Sequence, residues 1–186
     1  MARTFPFIAN DVSLDFANTQ VRDRQELKDL VETSEHMMEW VKAAGISTKP
    51  TNWQEDDINA AKELRGAIRK VMNAVIDTAK PPKAGIEQIN KALSHYGENA
   101  QLIFENDIYQ LRERNKAPDP AMILGILAER AASLLVSDER QRIKCCSHPD
   151  CILLFKDTSK SGKRRWCDMK TCGNRAKAEA YRTQKR

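Results

Sequence analysis

The residues best suited to chemistry are five cysteines, all of which fall within the final 42 residues of the 186-residue chain. Four of them form two pairs of identical spacing, because four residues separate Cys146 from Cys151 and four separate Cys167 from Cys172. Structural Zn²⁺ takes four tetrahedral ligands, usually thiolates and imidazoles. Two matched pairs with 15 residues between them therefore predict one structural zinc ion bound by these four thiolates.

Three other uses of the cysteines compete with zinc. Two disulfides would require an oxidising compartment, but the N-terminal sequence has no apolar core of a signal peptide, so we expect a cytoplasmic location. A redox pair is usually C-x-x-C in a thioredoxin-like context, and that spacing is absent. Unrelated buried thiols would not be expected to cluster at one end of the chain. Zinc is therefore the favoured interpretation, in a structural role, since four thiolates leave no coordination position open.

Two residues beside the ligands complicate the assignment. Cys145 directly precedes Cys146, and two adjacent residues cannot easily both reach one tetrahedral ion. The symmetrical spacing makes Cys146 the ligand and leaves Cys145 as a spare thiol. His148 lies inside the first cysteine loop with Ser147, Pro149 and Asp150, and we predict that it is a turn residue.

Charge divides the chain into two parts. From Gln141 onward there are 13 Lys and Arg against 4 Asp and Glu, whereas the first 140 residues have 18 against 22. A basic end on a mildly acidic body indicates a polyanionic partner. We predict a body of residues 1–140 and a small finger of residues 141–186. No apolar run approaches the roughly 18 residues of a membrane span, so no membrane partner is expected.

Apolar periodicity predicts a mainly α body with one small β-hairpin, an α+β fold. Helical spacing covers approximately residues 33–45, 58–79, 86–96 and 119–136, and the second of these helices should form the centre of the core. Asn52 and Glu55 have the spacing of a capping box at its start. Gly125, inside the last helix, predicts a close packing contact.

Alternating apolar residues then predict the hairpin. The runs 101–105 and 108–112 flank Asn106-Asp107, a pair suited to a two-residue turn.

A short helix is predicted near the N-terminus, over residues 10–22. Steps of three to four residues place Asp15, Asn18, Thr19 and Arg22 on one side of it. From spacing alone, a solvated polar face is the favoured interpretation.

The finger is predicted to consist of a first cysteine loop (a knuckle), a β-hairpin, a second cysteine loop and a helix, in that order. Residues 152–155 and 164–166 would form the hairpin, and the last helix would begin near Gly173-Asn174. Arg175, Arg182 and Arg186 would share one side of this helix, and Lys177, Tyr181 and Lys185 an adjacent stripe. Lys and Arg bind phosphates with release of counterions, and a helix fits the major groove of B-DNA. Basic helices beside structural zinc also bind RNA or protein, so the partner stays open on this reasoning.

Three runs in the finger resemble the CGNR zinc-finger family. They are Phe155-x-Asp157-x-Ser159, Arg164-Arg165-Trp166-Cys167-x-Met169 and Cys172-Gly173-Asn174-Arg175-x-Lys177. The N-terminal run Leu14-Asp15-Phe16-x-Asn18-Thr19 is similar to the ABATE domain that accompanies this finger in bacteria. The resemblance implies a stress-responsive transcription regulator whose finger binds DNA and whose helical body senses an effector. It implies the same four cysteine ligands, and Cys145 stands where the family usually has a basic residue.

These expectations define the candidate sites. The DNA-binding set is Lys163, Arg164, Arg165, Arg175, Lys177, Arg182 and Lys185. The resemblance makes Asp15, Asn18, Thr19 and Arg22 candidates for a small-molecule effector site or an interdomain contact, and it is compatible with a homodimer. The alternative function is a zinc-dependent RNA- or protein-interaction module without sequence-specific DNA binding. We expect no enzymatic activity, because His36 and His95 are isolated and no Gly-rich phosphate loop or nucleophile elbow is present.

Overall fold

The computed structural model describes residues 4–23, 25–96, 100–105, 108–113 and 119–184. The helices in these ranges are α1 (Val12–Ala17), α2 (Ser34–Ala43), α3 (Glu55–Ile76), α4 (Lys83–Leu93), α5 (Pro120–Val136) and α6 (Asn174–Gln184). The strands are β1 (Gln20–Asp23), β2 (Glu26–Asp29), β3 (Ala100–Glu105), β4 (Ile108–Glu113), β5 (Ile143–Cys145) and β6 (Leu154–Lys156). They pair antiparallel as β1 with β2, β3 with β4 and β5 with β6. The predicted fold class, mainly helical with small antiparallel strand pairs and a C-terminal cysteine module, is confirmed. No helix in the described ranges combines the length and apolar character needed to cross a membrane.

Helix α3 is the centre of the core, as its periodicity predicts. It packs against α1, α2, α4 and α5. Its inward stripe consists of Ile58, Ala61, Leu64, Ala67, Ile68, Val71 and Met72, all buried. The capping box differs from the prediction, because the Gln54 amide donates to the Asp57 carboxylate at 2.9 Å. The predicted cap residue Asn52 instead accepts a hydrogen bond from the Gln54 side chain. Helix α3 therefore begins two residues later than a cap at Asn52 would place it.

Helix α5 packs across α4, where a glycine permits close approach. A Cβ atom at Gly125 would lie 2.9 Å from the backbone nitrogen of Tyr96, which confirms the predicted packing contact. The hairpin of β3 and β4 is also confirmed, with Glu105 opposite Ile108. Its predicted turn residues, Asn106 and Asp107, lie outside the described residues.

The N-terminal helix is shorter than predicted. Asp11 caps α1 by accepting from the Ser13 and Leu14 amides, and the helix ends at Ala17. The chain then becomes extended, because β-branched Thr19 and Val21 favour a strand, and β1 turns back through Gln25, which has a φ of 76°. A helix over residues 10–22 is therefore wrong in its second half.

The hairpin of the finger also forms with a different partner strand. Residues 164–166 are not a strand; β6 pairs with β5, so that Ile143 lies opposite Lys156 and Cys145 opposite Leu154. The hairpin thus encloses the first cysteine loop instead of separating the two loops. A 3₁₀ turn over Asp138–Arg142 connects α5 to β5.

The body and the finger share one hydrophobic cluster. Leu154 and Phe155 of β6 are fully buried and belong to the same cluster as Phe16 of α1 and Ile68 of α3. β6 contacts α1, and β5 contacts α3. The strands that hold the first cysteine loop are therefore fixed directly to the body.

Candidate zinc centre and nucleic-acid interface

The four predicted cysteine ligands converge on one point. Their sulfur atoms all lie within 4.8 Å of one another, with 3.7 Å between Cys151 and Cys167 and 3.6 Å between Cys167 and Cys172. Tetrahedral Zn²⁺ with Zn–S bonds of about 2.3 Å requires sulfur separations of about 3.8 Å, so the cluster fits the ion. The exposed Cys145 is not part of this cluster. The four sulfurs are therefore suited to one structural zinc ion.

The first cysteine loop is closed by its own hydrogen bonds. The Cys146 amide donates to the Leu153 carbonyl at 2.9 Å, and the Cys151 amide donates to the His148 carbonyl at 3.0 Å. Nδ1 of His148 accepts from the Asp150 amide at 3.2 Å. His148 is therefore a buried turn residue, as predicted, and the ligand cluster consists of cysteines only.

The second cysteine loop is joined to the first and leads directly into α6. The Cys167 amide donates to the sulfur of Cys146 at 3.4 Å. The carboxylate of Asp168 accepts from the Thr171 amide at 3.0 Å, and this bond begins a π turn over Met169–Gly173. Cys172 lies in the last turn before α6, so the metal centre fixes the start of that helix.

Four neighbouring sulfurs cannot all ionise without a cation. The hydrogen bond with Cys146 raises the pKa of the Cys151 thiol to about 12, and a hydrogen bond with the same neighbour also raises the pKa of the Cys167 thiol. Zn²⁺ removes this conflict by binding all four sulfurs as thiolates, which releases protons and makes metal affinity dependent on pH. The donor set is therefore chemically suited to a soft divalent cation.

A buried aspartate organises the loop that follows β6. The Asp157 carboxylate accepts from the Lys144 ammonium at 2.6 Å, from the Ser159 hydroxyl at 2.6 Å and from the Arg164 amide at 2.9 Å. Burial alone would raise the pKa of Asp157, but these bonds together hold it well below its usual range. The sequence analysis did not reveal the pairing of Asp157 with Lys144, which is 13 residues away.

Arg164, predicted to contact DNA, uses its guanidinium within the protein. The group lies 4.4 Å from the centre of the Phe155 ring, Nε donates to the Trp166 carbonyl at 2.9 Å, and Nη2 donates to the carbonyls of Cys167 and Ile8. This arrangement favours a structural role for Arg164 over a phosphate contact.

The other predicted cations lie on the surface of the finger. Lys163 and Arg165 are exposed, and the Arg165 guanidinium lies 5.0 Å from the Trp166 ring. Arg175, Lys177 and Arg182 are exposed along α6. The seventh predicted cation, Lys185, lies outside the described residues.

The four candidate effector residues do not form one open site. The Asp15 carboxylate accepts from the amides of Ile8 and Ala9 at 3.0 and 2.9 Å, and burial raises the pKa of Asp15 to about 6. Thr19 is buried, and Arg22 is exposed on β1. These positions do not bring the four residues around a common cavity.

Asn18 instead makes the interdomain contact that was the other interpretation. Its side-chain amide donates to the Leu154 carbonyl at 2.8 Å, and its carbonyl accepts from the Leu154 amide at 2.9 Å. The side chain thus pairs with β6 as a neighbouring strand would. Because Asn18 is fully buried, this pair of bonds holds the body to the finger.

Two arginines of α3 were missed in the sequence, and one of them, Arg69, completes the contact with the finger. Arg69 donates to the carbonyl of Ile152 in the finger and to that of Ala17 in the body, both at 2.6 Å. Arg65 pairs with Asp29 at 2.5 Å and donates to the Thr19 hydroxyl at 3.0 Å. The sequence does contain a signal for these residues, because two arginines four residues apart interrupt the apolar stripe of the central helix.

Both parts of the chain match known family models. Residues 10–138 match the ABATE model, described as "Putative stress-induced transcription regulator". The chain belongs to the ABATE family. Residues 142–185 match the CGNR zinc finger, and the ABATE and CGNR regions follow each other in the order that the sequence resemblance implied. No curated protein matches the chain.

The four residues of the CGNR motif in this ABATE protein, residues 172–175, each have a distinct place in the structure. Cys172 is a zinc ligand, and Gly173 is buried where a Cβ atom would lie 2.7 Å from the sulfur of Met169. Asn174 begins α6 and donates to the Lys170 carbonyl at 3.1 Å. Arg175 is the first exposed cation of the helix. The motif therefore joins the metal centre to the basic helix in four consecutive residues.

Proposed function

We propose that this ABATE protein is a non-catalytic, cytoplasmic transcription regulator whose finger binds duplex DNA through α6. The observation that carries the proposal is the placement of α6. The helix starts beside a zinc ligand, Cys172, and then exposes almost its whole surface, with only Ala176 partly covered among residues 174–183. An exposed helix bearing Arg175, Lys177 and Arg182 has the shape and charge required for a DNA groove.

Zinc supplies the stability that α6 lacks by itself. An isolated helix of 11 residues is marginal in water, since helices shorter than about 12–15 residues rarely persist alone. Its packing is confined mainly to the π turn that contains Cys172. The metal centre therefore fixes where the helix begins and the direction in which it leaves the finger.

The body is proposed to sense an effector and to transmit its state through the contact with the finger. Asn18 and Arg69 bond to Leu154 and Ile152, the residues immediately after the first cysteine loop. The Lys156 amide also donates to the Ala9 carbonyl at 2.8 Å. A change in the position of α1 or α3 would therefore move the zinc centre, and with it α6.

A salt titration of duplex DNA binding tests the proposal. With five of the predicted DNA-binding cations exposed in the described part of the finger, the slope of log affinity against log salt should be about −4.5, equivalent to several hundred-fold between about 50 and 200 mM salt. Arg175→Ala with Arg182→Ala should reduce the magnitude of the slope by about 2. The charge-matched control is Lys83→Ala with Lys91→Ala, two exposed residues of α4, and it should leave the slope unchanged.

Two outcomes would contradict the proposal. One is the absence of salt-dependent duplex binding by the zinc-loaded protein. The other is binding to single-stranded RNA that duplex DNA does not compete away, which would favour the RNA-interaction module instead.

A further inference from the structure

A cavity of about 370 Å³ lies between α2 and the segment that leads into α3. This volume is within the range of small-molecule sites, about 300–1,000 Å³. Its apolar wall includes Met38 and Val41 of α2, Pro50 of the segment, and Trp53. None of the four residues that the N-terminal motif suggested for an effector lines it.

Trp53 forms part of the cavity wall, and its indole N–H has no acceptor in the described part of the chain. The side chain is only 4% exposed, and its indole N–H is buried with no acceptor among the described residues. A buried N–H without an acceptor is costly, and buried tryptophans usually satisfy this group. A larger recess of about 510 Å³ between α3 and α4 has no such unpaired group among its described lining residues.

The acidic and basic residues of α2 that line the cavity occupy different parts of the helix. Glu35 and Glu39 are one turn apart, and Lys42 follows three residues later on the same side of the helix. Lys49 lies on the opposite segment. Among the described residues, none of these four side chains forms an ion pair. The cavity therefore offers carboxylates toward one end of α2 and ammonium groups toward the other.

We propose that this cavity is the effector site of the body, and that its ligand is a small zwitterion with an aromatic or branched apolar group. The ligand's carboxylate would accept from the lysines, its ammonium would face the glutamates, and its apolar group would contact Met38 and Val41. This inference rests on the effector sensing proposed above and names the site and the class of ligand.

Packed aromatic rings connect the cavity to the finger. Trp40 precedes the cavity residue Val41, and its ring lies 5.2 Å from that of Phe16 in α1 and 6.1 Å from that of Phe7. Phe7 continues into Ile8 and Ala9, whose carbonyls accept from Arg164 and Lys156 of the finger. A ligand that shifts α2 would therefore act on residues bonded to the finger.

The test follows the indole N–H resonances of the zinc-loaded, full-length protein in ¹H–¹⁵N spectra. The three tryptophans, Trp40, Trp53 and Trp166, give three signals, and Trp53→Phe assigns the one of interest. The probes share one apolar group: L-phenylalanine has both charges, 3-phenylpropionate only the carboxylate, and phenethylamine only the ammonium. We expect L-phenylalanine to shift the Trp53 signal saturably, and each single-charge probe to bind at least about tenfold more weakly.

Variants of the rim sharpen this test. Glu39→Gln and Lys49→Gln should each weaken L-phenylalanine binding, whereas Glu87→Gln, on exposed α4, should not. The proposal is overturned if no probe shifts the Trp53 signal, or if either single-charge probe binds as tightly as L-phenylalanine. The NMR titration does not measure DNA affinity. A negative result in it would therefore not contradict DNA binding by α6, and a negative result in the DNA titration would not contradict the assignment of the cavity.

Discussion

The finger commits some of its basic side chains to the fold and exposes others. In residues 143–164, Lys144 bonds to the buried Asp157, and Arg164 donates to backbone carbonyls of both finger and body. In α6, Arg175 and Lys177 are exposed. Counting positive charges therefore does not identify a DNA-binding surface, because a cation beside buried acceptors is already committed to the fold.

The zinc centre joins the half of the finger that is bonded to the body to the projecting half that contains α6. Cys146 and Cys151 belong to the half bonded to the body, and Cys172 belongs to the turn from which α6 begins. Loss of the metal would thus remove the link between the two cysteine loops that the ion provides, without removing any bond between the body and β6. Substitutions at the zinc centre, in the half bonded to the body and in the projecting half should therefore have effects of different sizes.

The largest effect is expected from a ligand substitution. Cys167→Ser should abolish stoichiometric zinc binding and reduce the helical content of α6, because structural zinc contributes about 10 kcal/mol or more to the folding of small fingers. Metal analysis and circular dichroism of the purified protein measure both results. Cys145→Ser is the matched control and should retain one zinc per chain, since Cys145 is exposed and outside the ligand cluster. Equal loss of zinc from both variants would contradict the ligand assignment.

A smaller effect is expected from the contact between body and finger. Asn18→Ala should lower the free energy of unfolding by about 3 kcal/mol, because it leaves the buried amide and carbonyl of Leu154 without partners. Chemical denaturation measures the change, and Asn90→Ala, on the exposed side of α4, should stay within about 0.5 kcal/mol of the native protein. If Asn18→Ala matched this control, the side chain would not hold β6 to the body.

The smallest effect separates the two classes of arginine. Arg164→Lys should lower the free energy of unfolding by about 1–2 kcal/mol, because lysine cannot reproduce the forked hydrogen bonds or the stacking on Phe155. The salt slope of DNA binding should be unchanged even in Arg164→Ala, because the guanidinium is already bonded to carbonyls within the protein. Arg175→Ala should do the reverse, with native stability and a slope smaller by about 0.9. A slope smaller by about 0.9 in Arg164→Ala would place Arg164 at the DNA.

The sequence predicted the parts of the molecule that depend on local spacing. The ligand set followed from two equal cysteine intervals, and α3 and α5 followed from helical periodicity, because these signals lie within a few turns of chain. The hairpin of β1 and β2 was missed because each strand has only four residues, too few for a clear alternating pattern.

The pairing of segments that are far apart in the sequence could not be predicted in the same way. Residues 164–166 have the composition of a strand, but β6 pairs with β5, and nothing in either strand's composition specifies that choice. Asn18 and Leu154 are 136 residues apart, so a spacing rule applied near Asn18 could place it on a surface but could not identify the strand that it bonds.

The comparison between the halves can be tested in one experiment. Amide hydrogen exchange would be measured on the zinc-loaded, full-length protein with and without saturating duplex DNA. We predict slower exchange on DNA binding in residues 174–184 and unchanged exchange in residues 143–160, because Arg175 and Lys177 of α6 are exposed, whereas Lys144 and Lys156 are already paired with carboxylates. DNA-induced protection confined to residues 143–160, with none in α6, would contradict the assignment of α6 as the DNA-binding surface.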